Sequence, residues 1–142
     1  MTEASGPIIT VVVCASVPHQ KALEEAGRPV PPGVTIQALV DTGASGTCID
    51  PLVLRQLGLE RVGTVDVVTP STGDGTHEAN TYDIGLIIPP AGAGHMPHLI
   101  PYLLVTESVL ARNGFHALIG RDVLKDCVLV YNGALGFFTL AF

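Results

Sequence analysis

Short runs of β-branched apolar residues alternate along this chain with breaks rich in glycine and proline. Residues Ile8–Ala15 and Val34–Val40 are runs of this kind and predict two strands. Residues 62–88 form two extended runs around a glycine- and threonine-rich tip, which predicts a β-hairpin with a long loop. The same pattern predicts further strands at 102–106 and 115–120, and a closing hairpin formed by 128–132 and 135–142.

Helical signals are fewer. In "CIDPLVLRQLGL", Asp50 is suited to be the N-cap, Pro51 the first helical residue and Gly58 the stop. The predicted apolar face of this helix consists of Leu52, Leu54 and Leu57. A second short helix is predicted in "RDVLKDC", capped by Asp122, while residues 20–26 allow one helical turn. The pattern therefore predicts a mostly β domain with two short helices.

Length, charge and cysteine content limit the classes of protein to which this chain can belong. The 142 residues are enough for a single domain, 1–142, with a core of its own. The net charge of −6 and the lack of a basic cluster argue against nucleic acid and anionic membranes as partners. The acidic N-terminal stretch does not resemble an export signal, and prolines break the longest uncharged run. Three widely spaced cysteines, Cys14, Cys48 and Cys127, are typical of reduced thiols in a cytoplasmic protein.

Two motifs carry candidate chemistry. In "ALVDTGAS" (38–45) an apolar strand ends on Asp41, followed at once by a small, turn-forming segment. A buried carboxylate without a partner is unfavourable, so Asp41 either caps the turn or serves a reaction. The second motif, "ALIGRDVL" (117–124), places two apolar residues before a glycine and an Arg-Asp pair that opens a helix.

Taken together, these motifs resemble those of the retropepsin-like aspartic proteases, single-domain relatives of the pepsins. The helix after the first motif is similar to that of bacterial members of this family. The resemblance extends over nearly the whole chain and implies a closed β-barrel or sandwich with a flap hairpin, acting as an endopeptidase on extended peptides. Its most specific residues are Asp41, Thr42, Gly43 and Ala44, and then Leu118, Ile119, Gly120, Arg121 and Asp122.

The resemblance also implies a role for each residue of the first motif. Asp41 would be the general acid and base, and Thr42 would form a hydrogen bond across the two-fold axis of a dimer. Gly43 would permit the turn and a close approach of the substrate backbone. Ala44 would keep the floor of the cleft open, and Ser45 would form a hydrogen bond to the substrate or to the loop.

For the second motif, the resemblance implies support of the active-site loop. Leu118, Ile119 and Gly120 would pack beneath that loop, and Arg121 and Asp122 would help to hold it. One departure stands out: retroviral members usually carry an acidic residue where this chain has Ser45, and that residue pairs with the arginine. Arg121 must therefore find a different partner here.

A candidate flap lies at the tip of the predicted hairpin. A glycine-tipped loop of this kind can fold over an extended peptide and exclude water, although an ordinary hairpin tip explains the sequence equally well. The flap candidates are Ser71, Thr72, Gly73, Asp74 and Gly75.

The number of carboxylates leads to a prediction about assembly. Aspartic proteolysis uses two carboxylates that share a proton, and this chain contains a single Asp-Thr-Gly. We therefore expect a homodimer in which each copy supplies Asp41 to one shared site. The apolar N- and C-terminal strands can pair between subunits, as they do in the family, or can complete the sheet of their own monomer.

Other functions are less consistent with the sequence. A serine-hydrolase elbow fails because Thr47 stands where its second glycine belongs. His95 and His98 have an H-x-x-H spacing but no carboxylate or cysteine nearby, so we expect solvated loop histidines, no metal and no cofactor. His116 is expected to be half-buried in a strand. The serious alternative is a retropepsin-fold module that dimerises or binds a peptide without cleaving it.

Overall fold

A computed structural model of the chain describes residues 6–68 and 75–142, and over these residues the fold is mostly β. The strands of the described residues are β1 (Ile8–Ala15), β2 (Val34–Val40), β3 (Cys48–Ile49), β4 (Gly63–Val68), β5 (Thr76–Ile88), β6 (His98–Glu107), β7 (Ala117–Ile119), β8 (Val128–Asn132) and β9 (Phe137–Ala141). The helices are α1 (Val17–Glu25), α2 (Pro51–Gln56) and α3 (Arg121–Leu124), with a 3₁₀ turn at Ala111–Asn113.

Six of the strands close into a barrel. They pair in the order β1-β2-β7-β3-β6-β5, and β1 also pairs with β5, which completes the ring. β4 extends this sheet as the second arm of a hairpin with β5. The predicted class, a mostly β closed barrel or sandwich, is thereby confirmed as a barrel, and the described residues contain three α-helices where two were predicted.

The core fills the barrel with every second residue of its strands. Val11 and Val13 of β1 are fully buried, as are Ile84 and Leu86 of β5. This is the period of two expected when only one face of a strand is buried. The β-branched residues that identified the strands in the sequence are therefore also the residues that stabilise the barrel.

The predicted α2 is present, but one residue of its apolar face was wrong. Asp50 accepts a hydrogen bond from the N–H of Leu52, as expected of an N-cap, and Gly58 follows the helix with a left-handed φ of 67°. Val53, rather than Leu52, shares the buried face with Leu54 and Leu57, because 3.6 residues per turn place Leu52 on the opposite side. The side chain of Leu52 is 52% exposed.

Two further predictions about helices need correction. The helical turn expected at 20–26 is a full helix that begins at Val17, because the hydroxyl of Ser16 accepts a hydrogen bond from the N–H of His19. Asp122 does not cap α3: the N-cap is Gly120, and Asp122 lies within the first turn. Its carboxylate is instead engaged by Thr47, as described below.

β6 begins at His98, four residues before the predicted start at 102. Ile84 pairs with Leu103 and Leu86 with Ile100, so that two residues, Pro101 and Tyr102, stand opposite Gly85. This bulge accommodates a proline, which has no N–H to donate to the ladder. The sequence suggested a break at the proline, whereas the strand passes through it.

The two terminal strands differ in their pairing. β1 pairs with β2 and β5 of its own chain, so the N-terminal strand completes its own monomer. β8 and β9 pair only with each other among the described strands and form a separate two-stranded sheet. The three cysteines are free and half-buried. Across the described ranges, none of the helices has the length and apolar character needed to cross a membrane.

Candidate active site

The parallel pairing of β2 with β7 brings the two sequence motifs together. Val40 lies opposite Ile119, and the N–H of Asp41 continues this ladder by donating to the carbonyl of Ile119 at 2.9 Å. Because β2 and β7 are parallel, they end on the same side of the barrel. The partly exposed carboxylate of Asp41 therefore lies beside Gly120, which leads into α3.

Asp41 also stabilises its own turn. Its Oδ1 accepts a hydrogen bond from the N–H of Gly43 at 2.9 Å, and its carbonyl accepts one from Ala44 at 3.2 Å. Gly43 does not adopt a left-handed φ, so the turn does not depend on the conformational freedom of glycine. An added Cβ would lie 3.1 Å from Asp41 Oδ1, so a side chain at Gly43 would crowd the carboxylate. Thr42 and Ser45 are exposed on this loop.

Arg121 has a partner, but it is not an acidic side chain. One guanidinium nitrogen, Nη1, donates to the carbonyl of Thr42 at 2.7 Å, and the backbone N–H of Arg121 donates to the carbonyl of Ala44 at 2.9 Å. Arg121 thus holds the loop that carries Asp41 through the backbone of that loop, and these carbonyl groups take the place of an acidic partner at position 45.

Gly120 is the point of closest approach between the two motifs. A Cβ at this position would lie 2.5 Å from the carbonyl oxygen of Gly46 and 3.0 Å from that of Ala44. Both are backbone atoms, which cannot rotate away as a side chain can. The loop can therefore lie against α3 only if residue 120 is a glycine.

Thr47 is the residue of the site that sequence reasoning missed. It is 1% exposed, and its N–H and Oγ1 donate to the two carboxylate oxygens of Asp122 at 3.0 and 2.7 Å. Its Oγ1 also accepts a hydrogen bond from the N–H of Gly120 at 3.2 Å. Its position six residues after Asp41 could have marked it as a candidate for the site. Its partner, however, lies 75 positions away in sequence.

The other residues of the second motif divide between two faces. Ile119 is fully buried and belongs to the barrel core, whereas Leu118 is half-buried and lies beside Leu39 on the other face. Ile119 supports Asp41 through its backbone, because its carbonyl accepts the hydrogen bond from the N–H of Asp41. Leu118 therefore lies in β7 next to Ile119 but outside the barrel core.

Two carboxylates near the loop affect the thiol of Cys48. Burial, and then the negative charges of Asp122 and Asp41, raise the pKa of the Cys48 thiol above its ordinary value of 9.0. The thiol is therefore protonated at neutral pH and is not a nucleophile.

Asp50 supports the adjoining region from within. Its side chain is 1% exposed, and its Oδ2 accepts hydrogen bonds from the N–H groups of Leu110 and Ala111, each at 2.7 Å. Burial by itself would raise the pKa of Asp50, but the backbone N–H donors and the nearby His116 outweigh it and lower that pKa below 3.8. The predicted helix cap thus also anchors the 3₁₀ turn.

The predicted flap falls mostly outside the described residues. Ser71, Thr72, Gly73 and Asp74 lie there, while Gly75 directly precedes β5. The two arms of the hairpin pair from Gly63 opposite Thr81 to Val68 opposite Thr76.

Metal-binding side chains are not clustered in the described part of the chain. Within 6–68 and 75–142, no group of three or more His, Cys, Asp or Glu side chains could hold an ion. His95 is exposed, as expected, but His98 starts β6 and its ring stacks on Phe142 at a centroid distance of 5.2 Å, so the prediction of a solvated loop residue was wrong for it. His116 is half-buried and directly precedes β7 rather than lying within it.

The solved structures that are similar to this chain include a retroviral protease and a retroviral protease-like domain. The EIAV protease complexed with the inhibitor HBY-793 is 15% identical with a TM-score of 0.44, over 84% of this chain and 86% of that chain. The retroviral protease-like domain of Ddi1 from Leishmania major has the same identity and TM-score, over 94% of this chain and 88% of that chain. A comparison with curated proteins gives no match.

One family model matches part of the sequence. Residues 32–95 match the model described as gag-polyprotein putative aspartyl protease. This segment, less than half of the chain, contains Asp41, Thr42 and Gly43, and supports the resemblance drawn from the first motif. The second motif, 117–124, lies beyond it.

Proposed function

We propose that the chain is a retropepsin-like aspartic endopeptidase that works as a homodimer, with Asp41 of each copy at one shared site. The observation that carries the proposal is the placement of Asp41. Asp41 follows the apolar strand β2 at one end of the barrel. There it is partly exposed on a loop that Arg121 and Gly120 hold in place. A rigidly held, accessible carboxylate is what acid-base catalysis requires.

The chemistry explains the need for a second copy. Two carboxylates a few ångströms apart cannot both ionise readily, so the pair holds one proton between them. The ionised member then takes a proton from the attacking water, while the protonated member gives one to the carbonyl oxygen of the peptide bond. A single chain supplies one Asp-Thr-Gly, and the dimer supplies the pair.

The C-terminal hairpin supports association between copies. β8 begins shortly after α3, and its Val128, Val130 and Tyr131 are each more than half exposed. Phe137 of β9 is 45% exposed. A two-stranded hairpin has little stability alone, and an apolar surface of this kind is typical of an interface.

The first experiment tests catalysis by Asp41. The wild-type chain and Asp41→Asn are incubated with a peptide library from mildly acidic to neutral pH, and their masses in solution are measured. Cleavage by the wild type and its loss in Asp41→Asn are expected, whereas Glu25→Gln, an exposed change on α1, leaves cleavage intact. A confirmed dimer without activity at any pH would instead indicate a non-catalytic dimerisation or peptide-binding module.

A mixing experiment tests whether the site is shared. Wild-type and Asp41→Asn chains are unfolded, mixed at several ratios and refolded together. If both carboxylates are required, only wild-type pairs are active, and the activity follows the square of the wild-type fraction. A linear dependence would show that each chain works alone and would rule out the shared site.

A further inference from the structure

A cavity of about 500 Å³ lies on the outer wall of the barrel, and Asp41 does not line it. It is enclosed by α1, by the proline-rich segment that follows α1, and by the segment that follows α2. This volume is within the range of pockets that bind small ligands or single side chains.

The fold builds this cavity around Asp83 of β5. Ala15, the last residue of β1, pairs with Ile84, and the next residue, Ser16, caps α1, so the helix starts directly beside Asp83. On the other side, the N–H of Val62 donates to the carbonyl of Thr81 and ties the segment after α2 to β5. The walls are thus fixed to the strand that carries Asp83.

Asp83 has an acceptor with no donor. Its neighbours Tyr82 and Ile84 point into the core, so its own side chain is on the outer face, where it is half-buried and lines the cavity. The hydroxyl of Tyr102 forms a hydrogen bond with the carboxylate. The Oδ1 atom, however, is buried without a hydrogen-bond partner among the described residues, which is unfavourable for an ionised oxygen.

The rest of the lining defines which donor fits. Leu23 and Leu57 supply apolar surface. Among the lining residues, the carboxylates of Asp83 and Glu60 outnumber the one permanently charged cation, Arg28. His19 completes the titratable groups of the cavity. A site with apolar walls and an excess of negative charge favours a cation carried on an apolar stem.

We propose that this cavity binds an alkylammonium group, as at the end of a lysine side chain of a partner peptide, with the carboxylate of Asp83 as the acceptor. The apolar walls hold the alkyl stem, and the positive charge of the ammonium stabilises a half-buried carboxylate that is short of hydrogen-bond donors. This site is independent of the proposed protease activity, because it lies on the outer wall of the barrel and does not include Asp41.

The test uses n-butylammonium, which reproduces the four carbons and the charge of a lysine side chain, and 1-butanol as its neutral counterpart. Each is titrated at pH 7 into the ¹⁵N-labelled full chain, and the amide resonances are followed by NMR. We expect saturable shifts at Leu23, Leu59 and Val62, with butanol binding at least about tenfold more weakly, as the loss of a charge-assisted hydrogen bond implies.

Three variants locate the interaction. Asp83→Asn is expected to weaken butylammonium binding about tenfold, whereas Asp66→Asn, the same change at an exposed position of β4, leaves it unchanged. Arg28→Gln removes the cation that competes for the cavity and is expected to strengthen binding. N-acetyl-lysine amide, compared with N-acetyl-norleucine amide, extends the test to a peptide side chain.

Several results would overturn the proposal. Equal affinities for the ammonium and the alcohol, or an unchanged affinity in a folded Asp83→Asn, would show that Asp83 is not the acceptor. Absence of binding in both the wild type and Arg28→Gln would show that the cavity holds only water. The comparison of the two ligands on the wild-type chain decides the matter even if Asp83→Asn does not fold.

Discussion

The loop that carries Asp41 and the C-terminal hairpin are held in place by different means. The loop contributes little apolar surface and is fixed by its close contact with Gly120 and by the hydrogen bonds of the buried Thr47 to Asp122 and Gly120. The hairpin is paired locally, strand to neighbouring strand, and leaves Val128, Val130 and Tyr131 exposed. A single chain therefore fully determines the geometry of the loop, whereas the hairpin retains an apolar surface that a single chain does not cover.

Matched glycine substitutions test this contrast most strongly. In Gly120→Ala the new Cβ would meet backbone atoms 2.5 Å away, so the free energy of unfolding should fall by about 3 kcal/mol. In Gly133→Ala, at the hairpin turn, the nearest atom is 3.5 Å away, and the change should stay within about 0.5 kcal/mol. Urea unfolding measures both. Equal effects would show that the loop can move away from α3.

A second test concerns Asp50 and pH. Asp50→Asn should lower the free energy of unfolding at pH 7 by about 2 kcal/mol, because a neutral amide satisfies the buried N–H groups of Leu110 and Ala111 less well. Asp126→Asn, an exposed position just before β8, should have little effect.

The pH dependence follows from the lowered pKa of Asp50. Because the pKa of the folded state is below 3.8, the unfolded chain takes up its proton first as the pH falls. The contribution of Asp50 is therefore fully present well above pH 3.8 and is lost as the pH falls through the lower, folded-state pKa. The free energy of unfolding, measured with urea between pH 5 and 2.5, should decline less steeply in Asp50→Asn than in the wild type. Parallel declines would contradict this assignment.

Thr47 is expected to have a smaller effect. Thr47→Val retains the shape of the side chain but removes the hydroxyl that joins Asp122 to the N–H of Gly120, and should destabilise the chain by about 1.5 kcal/mol. Thr139→Val, an exposed position on β9, provides the matched change in the hairpin and should be nearly neutral. Thr47→Ser, which keeps the hydroxyl, should recover most of the loss. An unchanged free energy of unfolding in Thr47→Val would show that the hydroxyl does not stabilise this region.

The smallest effect on unfolding is expected in the hairpin itself. Tyr131→Ser with Phe137→Ser should change the free energy of unfolding of the monomer by less than about 0.5 kcal/mol, since both side chains are about half exposed. Sedimentation should nevertheless show a shift from dimer towards monomer. A dimer that persists in the double variant would place the interface elsewhere.

The sequence predicted best what depends on local pattern. The bounds of β1 and β2 agree with the structure because β-branched residues fill most of the buried positions of both strands. β6 was predicted too short because Pro101 reads as a break, although a bulge opposite Gly85 accommodates it. A local reading cannot detect compensation of this kind, because it depends on the partner strand.

The candidate site shows the same limit. The two motifs marked Asp41 and Arg121, since their residue types are distinctive even in isolation. Thr47 was missed, and so was the contact by which Asp122 is held to it, because the two side chains lie 75 positions apart in sequence. Helix capping, a local rule, was therefore assigned to Asp122 in place of the distant contact that the structure contains.

The parallel pairing of β2 with β7 has a consequence for biosynthesis. The ribosome adds Asp41 to the nascent chain long before it adds the carbonyl of Ile119 that holds the aspartate in place. Contacts so distant in sequence close a large loop and form late in folding. Asp41 can therefore reach its final position in the barrel only after most of the chain has been synthesised, although its local turn can form earlier.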